Sequence, residues 1–227
     1  FANVLSVSRQ KIPFGIAQIG KAFRNEINPR NYTFRSREFE QMELEYFIPP
    51  GSDTDWHEYW VAERLKWYER IGLPESSLHR DIHKEEDLAH YASACTDVAY
   101  DFPFGTQELE GIAARGDFDL KQHQECSGKS MEVLDPDTNE RFLPHVIEPS
   151  AGADRIALAV LCEAYREEWI PKGGGETRLA EPGAKRPPEG YESRTVLGFA
   201  PVLAPVKVAV FPLVKNNEEL VAKSKEV

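Results

Sequence analysis

The stretch from Phe14 to Phe47, FGIAQIGKAFRNEINPRNYTFRSREFEQMELEYF, sorts its charge along the chain in a way that packing alone does not require. From Lys21 to Arg37 five basic residues stand against the single acid Glu26, and Glu38, Glu40, Glu43 and Glu45 then follow with no Lys or Arg among them. Gln41 to Phe47 alternates, with Met42, Leu44 and Tyr46 on one side of a strand and Gln41, Glu43 and Glu45 on the other. Before it, Ala22, Arg24 and Glu26 share one strand face and Phe23 and Ile27 the other, until the turn formers Asn28, Pro29, Arg30 and Asn31 break the run. The pattern predicts a long-looped antiparallel hairpin whose solvent face offers guanidiniums at one end and carboxylates at the other. Arg grips phosphate oxygens through a planar fork and a carboxylate holds an ammonium, so such a face suits a zwitterion beside a polyphosphate. A solvated edge hairpin with ordinary cross-strand ion pairs would show the same alternation.

A chain of 227 residues buries a real core in one or two domains. Its net charge of −11 excludes a general nucleic-acid coat, but not an enzyme that meets RNA through local basic patches. Cys95, Cys126 and Cys162 are odd in number and far apart, which points to reduced thiols in the cytoplasm. No apolar run approaches membrane-spanning length.

Further along, Trp56, Tyr59, Trp60, Leu65, Trp67, Tyr68 and Ile71 recur at helical spacing and Gly72 and Pro74 end the run, which predicts a core-packing helix over 56–71. His79 and His83 are spaced to chelate zinc on a helix, with His90 downstream; no cysteine neighbours them in sequence, and a polar surface helix is the plainer expectation. Residues 93–104 read as a scaffold strand with Val98, Tyr100 and Phe102 on one side. ELEGIAARGDFDL (108–120) puts Glu108 and Glu110 on one strand face about Leu109, with Gly111 open to close approach. One of these carboxylates suits a metal; the same acids would also serve to balance Arg115 and Lys121 at a sheet edge. Asp-Pro-Asp-Thr-Asn (135–139) marks the turn of an outer hairpin over 126–142.

HVIEPS (145–150) reads as a strand, Gly152 as a break and 153–169 as a helix burying Ala153, Ile156, Val160 and Leu161. Arg155 then falls in the first turn, where an anion meets both a guanidinium and free backbone amides. Glu148 and Ser150 share a strand face. Residues 171–194, rich in Gly, Pro, Lys and Glu, read as a flexible insertion or linker. Lys207–Val214 is expected as a strand and 216–227 as the beginning of a helix.

FRNEINPRN (23–31) followed by REFEQMELEYF (37–47) resembles motif 2 of the class II aminoacyl-tRNA synthetases, whose Phe-Arg-Asn-Glu core several branches share. EFEQMELEYF, ELEGIAARGDFDLKQH (108–123) and HVIEPSAGADR (145–155) together resemble the glycine-specific branch, and the likeness runs through nearly the whole chain. The resemblance implies an α+β fold, with the class II antiparallel sheet flanked by helices over 1–200, an insertion at about 171–194, and the start of an α/β anticodon-binding domain over 201–227. It implies that motif 1 precedes Phe1 and that the protein forms a homodimer through it. It further implies ATP-dependent activation of glycine to glycyl-adenylate and transfer to tRNA(Gly), with ATP and Mg2+ and no membrane involvement.

By resemblance, Arg24 and Arg155 are catalytic, holding the α- and γ-phosphates. Asn25, Glu26, Phe34, Arg35, Ser36, Arg37, Glu38 and Phe39 cradle ATP, with Phe39 stacking on adenine. Glu108 and Leu109 lie against the nucleotide, Glu108 being the candidate magnesium ligand, and Gly152, Ala153 and Asp154 complete the site. Phe39, Glu40, Gln41, Met42, Glu43, Glu148, Pro149, Ser150, Ala151 and Gly152 are the glycine side. Two alternatives accompany this reading: a class II enzyme for another amino acid, and a catalytically inactive accessory subunit. The joint presence of Arg24, Glu26, Glu43, Glu148 and Arg155 argues against the second.

Overall fold

The computed structural model describes residues 1–135 and 138–226. After a short helix α1 (Ala2–Ser8), β1 (Phe14–Phe23) and β2 (Glu38–Ile48) pair antiparallel from Phe14↔Phe47 to Phe23↔Glu38, which is the expected hairpin. β1 stops at Phe23, so Arg24 and Glu26 stand in the connecting loop and not on a strand face. The loop is tight: Asn31 and Tyr32 take positive φ and Arg30 bridges Arg35 across its base.

Helix α2 (Asp53–Arg70) follows, then β3 (Leu78–Ile82), β4 (Ala94–Phe102), β5 (Gly105–Gly116), α3 (Phe118–Ser127), β6 (Val133–Leu134), β7 (Arg141–Phe142), β8 (His145–Gly152) and α4 (Ala153–Ala164). The six long strands form one antiparallel sheet in the order β1-β2-β8-β5-β4-β3. Alternation along each strand divides its residues between two faces. Met42 and Tyr46 of β2, Val98, Tyr100 and Phe102 of β4, and Ile147 and Ala151 of β8 join the core against α2, where Val61, Tyr68 and the following Leu73 are fully buried. Burying side chains of this size contributes about 1.5–3 kcal/mol each. α2 ends at Gly72, whose φ of 96° favours glycine and whose bare Cα lies against Ala200, which brings the chain back to this layer after residue 197.

Beyond α4 the chain forms β9 (Tyr165–Pro171), β10 (Arg178–Leu179) and β11 (Tyr191–Leu197), a separate sheet in the order β10-β9-β11, and ends in α5 (Glu218–Glu226). The helix expected over 153–169 therefore stops at Ala164: Tyr-Arg-Glu-Glu-Trp is drawn into β9 by pairing with β11. Its buried side is Ile156, Ala159 and Ala164, a stripe that leaves Leu161 45% exposed. The segment 171–194 holds β10 and the first residues of β11.

Three further expectations are corrected. His79 lies in β3 and His83 just beyond it, not on a helix, because Leu78–Ile82 adds to the sheet edge beside β4. Glu108 and Glu110 do not share a face. The β4–β5 register slips at Val98/Ala99, so that Leu109 and Glu110 are both buried while Glu108 is exposed. Lys207–Val214 forms no strand; among the described residues no other strand lies alongside to complete its backbone hydrogen bonds. The outer hairpin is present as β6 and β7, and the centre of its expected turn, 136–137, lies outside the described residues.

Candidate active site

Register brings one row of residues across the second face of the sheet: Gln18↔Glu43, Glu43↔Ser150, Ser150↔Gly111 and Gly111↔Asp97. Gln41 and Glu45 flank Glu43 on the same face by strand alternation. Gln41 Nε2 donates to Glu43 Oε1 at 2.8 Å and to Ser150 Oγ at 2.8 Å, so three side chains from two strands hold one another in place. Gly111 leaves the floor bare; a methyl group there would lie 3.3 Å from Asp97 Oδ1.

Above this row opens a cleft of about 130 Å³ lined by Arg24, Glu26, Thr33, Phe34, Arg35, Ser36, Phe39, Gln41, Glu108, Leu109, Gly111, Ser150, Ala151, Gly152, Asp154 and Arg155. Its roof is the 24–37 loop, tied to the start of α4 from both sides. Thr33 Oγ1 donates to Asp154 O at 3.3 Å, and the Glu40 amide donates to Asp154 Oδ2 at 2.7 Å. Arg155 Nε donates to Phe34 O and Nη1 to Glu108 O, each at 3.0 Å, with the guanidinium 4.3 Å from the Phe34 ring centroid. Arg35 donates to Glu26 Oε2 and Arg37 to the Glu26 carbonyl, both at 2.9 Å, so Glu26 fastens the loop internally. Arg24 lies over the Phe39 ring at 5.3 Å and, among the described residues, makes no side-chain hydrogen bond.

The electrostatics of the two ends are opposite. At Arg155, burial lowers the guanidinium pKa; the Glu108 carboxylate works against that, and the charges of Arg24 and Arg35 lower it further. Three cations thus share one partly buried hollow, which an anion would relieve. At the other end Glu148 accepts from Arg115 Nη1 at 2.8 Å while Arg115 also grips Asp119 at 2.6 and 2.9 Å. Burial raises the Glu148 pKa and Arg115 holds it down. Glu45, beside it, is pushed up to about 7, first by burial and then by the Glu148 charge, with Arg115 opposing. A cation placed among these carboxylates would draw the pKa values of Glu45 and Glu148 back down.

Not every expected site residue enters this cleft. Met42 and Pro149 turn to the helix side of the sheet with Ala151, which is 4% exposed and touches the cleft only along its edge, because strand alternation sends every second residue away from the site. Glu38 pairs with Lys21, and Asn25, Arg37, Glu40 and Ala153 do not line the hollow. Glu43 lies in the row beneath the cleft and Glu148 two residues from Ser150 on the same face. Arg115 and Glu45 were given no role by sequence reasoning; the alternation Gln41, Glu43, Glu45 already carried the signal for Glu45, whereas Arg115 needed the β5–β8 pairing.

Comparison with known proteins agrees with this geometry. The family profile described as tRNA synthetase class II core domain (G, H, P, S and T) matches residues 2–172. The chain is 52% identical over 219 residues to a glycine–tRNA ligase of Clostridium kluyveri, covering 96% of this chain and 43% of that protein. It is 50% identical over 242 aligned positions to that of Thermus thermophilus (100% and 44%) and 49% identical over 219 to that of Bacillus anthracis (96% and 44%). It spans somewhat less than half the length of these relatives. With an antiparallel sheet carrying the FRNE and REFEQMELEYF runs on its β1–β2 hairpin and HVIEPSAGADR at the β8–α4 junction, the chain belongs to the class II tRNA synthetase core family.

Proposed function

We propose that this chain carries the adenylation site of a glycine–tRNA ligase, which activates glycine with ATP and passes it to tRNA(Gly). The observation that carries the reading is a cleft with guanidiniums at one end and acids gathered on one sheet face at the other. Arg24 and Arg155 are the residues for the α- and γ-phosphates, and Phe39 is the ring for adenine. Gln41, Glu43, Glu148 and Ser150 receive the glycine ammonium. Glu108, 54% exposed beside Arg155, offers one hard oxygen donor, which fits an ion such as Mg2+ that keeps most of its waters and leans on phosphate oxygens. When bound, such an ion neutralises phosphate charge.

In this reading a glycine carboxylate oxygen attacks the α-phosphorus, the bond to the bridging oxygen breaks and pyrophosphate departs. The tRNA terminal ribose hydroxyl then attacks the glycyl carbonyl and AMP departs. No protein nucleophile takes part, so rate comes from alignment and from charge placed in advance. Glycine offers no side chain to attract, and selection rests on exclusion: the acids crowd the α-carbon and leave no room for a methyl group. The free cysteines support a reducing, cytoplasmic setting, and β1, an exposed sheet edge bearing Ile19 and Phe23, supports assembly with a second copy. The test is Glu43→Ala in the intact enzyme, which should abolish glycine-dependent pyrophosphate exchange while ATP binding survives. Unchanged exchange kinetics would remove Glu43 from the pocket and with it this reading.

A further inference from the structure

Where the row beneath the cleft runs out toward edge strand β3, three side chains of different chemistry converge. Cys95 and Asp97 are two apart on β4 and so share a face, and the His83 amide donates to Cys95 O at 3.0 Å, which fixes the histidine beside them. His83 Nε2 lies 2.9 Å from Asp97 Oδ2, Cys95 Sγ lies 3.8 Å from Asp97 Oδ1, and all three donor atoms fall within 4.8 Å of one another. A tetrahedral zinc with nitrogen, oxygen and sulfur at their usual bond lengths holds neighbouring donors about 3.3–3.6 Å apart. The His83–Asp97 pair need only open by a few tenths of an ångström and Cys95 draw in to reach that.

We infer that His83, Cys95 and Asp97 form a site for a thiophilic divalent cation of the zinc class, clamping the end of edge strand β3 to β4. Imidazole, thiolate and carboxylate together carry two negative charges, which a dication neutralises. The sulfur and nitrogen donors select zinc-like ions over Mg2+ or Ca2+, which take hard oxygens. Asp81 and Asp87 add negative potential at His83, and Glu108 and Glu148 add it at Cys95. The three side chains are only partly buried, and His83 and Cys95 open onto a cavity of about 480 Å³, which leaves a fourth position for water. His79, four residues before, takes no part; it pairs with Asp101. The clamp would close the 84–93 segment into a metal-bridged loop.

The test is titration of the full chain with Co2+, followed by competition with Zn2+. The expected result is one equivalent with a thiolate-to-cobalt charge-transfer band that zinc abolishes. The band should be lost in Cys95→Ser and in His83→Gln and kept in Cys126→Ser and Cys162→Ser, with near-ultraviolet circular dichroism reporting that each variant is folded. Zinc should also slow hydrogen exchange over 84–93. Absence of the band at one equivalent, or its survival in Cys95→Ser, overturns the inference and leaves His83 and Asp97 as an ion pair alone.

Discussion

Arg115 is, among the described residues, the cation that holds the acid end of the cleft together, and Arg115→Met isolates what it does, since methionine keeps the stem against Tyr91, over which the guanidinium lies at 4.0 Å. Two hydrogen bonds to Asp119 and one to Glu148 are lost. Glu148 is 16% exposed and would be left buried without its partner, a cost of about 2 kcal/mol; Asp119, 33% exposed, regains water and costs about 1 kcal/mol. The sum is about 3 kcal/mol at pH 8. The sign of its pH dependence follows from the two carboxyls. The folded-state pKa of Glu148 is already raised and rises further without Arg115, so its ionisation costs stability as pH climbs, and that cost shrinks as pH falls toward the raised value. The Asp119 pKa is lowered, chiefly by its hydrogen bond from Arg115, so its share of stability is present above the ordinary carboxylate value and is lost only as pH falls through the depressed one. That share is therefore still missing from the variant at pH 5. Urea unfolding should place the variant's midpoint roughly 1 M lower at pH 8 and lower by a smaller amount at pH 5. Equal losses at the two pH values, or a loss below about 1 kcal/mol at pH 8, would refute the account of Arg115 as the counter-charge of the site.

Two other outcomes follow from the same electrostatics. Glu45, with its pKa pushed up to about 7, is protonated in the empty site at pH 6 and ionised at pH 8. If the glycine ammonium binds beside it, glycine affinity should climb between those values and then level off, while Glu45→Gln should flatten the profile; calorimetric titration at four pH values decides it. Glu110 is 1% exposed, accepting from Arg64 Nε at 2.6 Å and from the Tyr68 hydroxyl at 2.5 Å. Glu110→Ala strands the Arg64 charge under the sheet and should cost about 3–5 kcal/mol, or roughly 8 °C in Tm by scanning calorimetry; a shift under about 2 °C would mean that the pair contributes little.

What could be read along the sequence was whatever is local. Period-two alternation identified the β1–β2 hairpin and the inward side of β4, a stripe of aromatics identified α2, and Gly152 between an alternating and a helical run identified the β8–α4 junction with Arg155 in its first turn. What could not be read was whatever depends on a partner. The bulge that sends Glu110 to the core opposite Glu108 exists only against β4, and Tyr165–Trp169 becomes strand only because β11 lies beside it. His83 and Cys95 are twelve residues apart and meet through the β3–β4 pairing, so a search for ligands at helical spacing found His79 in place of Cys95. Glu43 and Glu148 were each legible as facing one side of a strand, yet that those sides form one face, with Glu43 opposite Ser150 and Glu148 two residues further along, is a fact of register.

The division of labour between rigid and tethered parts has a consequence for the nucleotide end. The acids stand on β2 and β8, central strands whose opposite faces are buried against α2, so those side chains keep their places without a ligand. The guanidiniums come from elsewhere: Arg24 and Arg35 from a loop and Arg155 from a helix start, and the loop is held over the cleft by Arg155 bonding to the Phe34 carbonyl and by Thr33 bonding to that of Asp154, while Arg155 also bonds the Glu108 carbonyl on β5. Those acceptors are neutral. A phosphate oxygen offers a charge-assisted bond about twice as strong, so an arriving triphosphate would draw Arg155 away from its two carbonyls while engaging Arg24, which among the described residues has only the Phe39 ring. Under the proposed function, nucleotide binding would exchange partners at Arg155 and add one at Arg24, whereas glycine would fill a pocket already built.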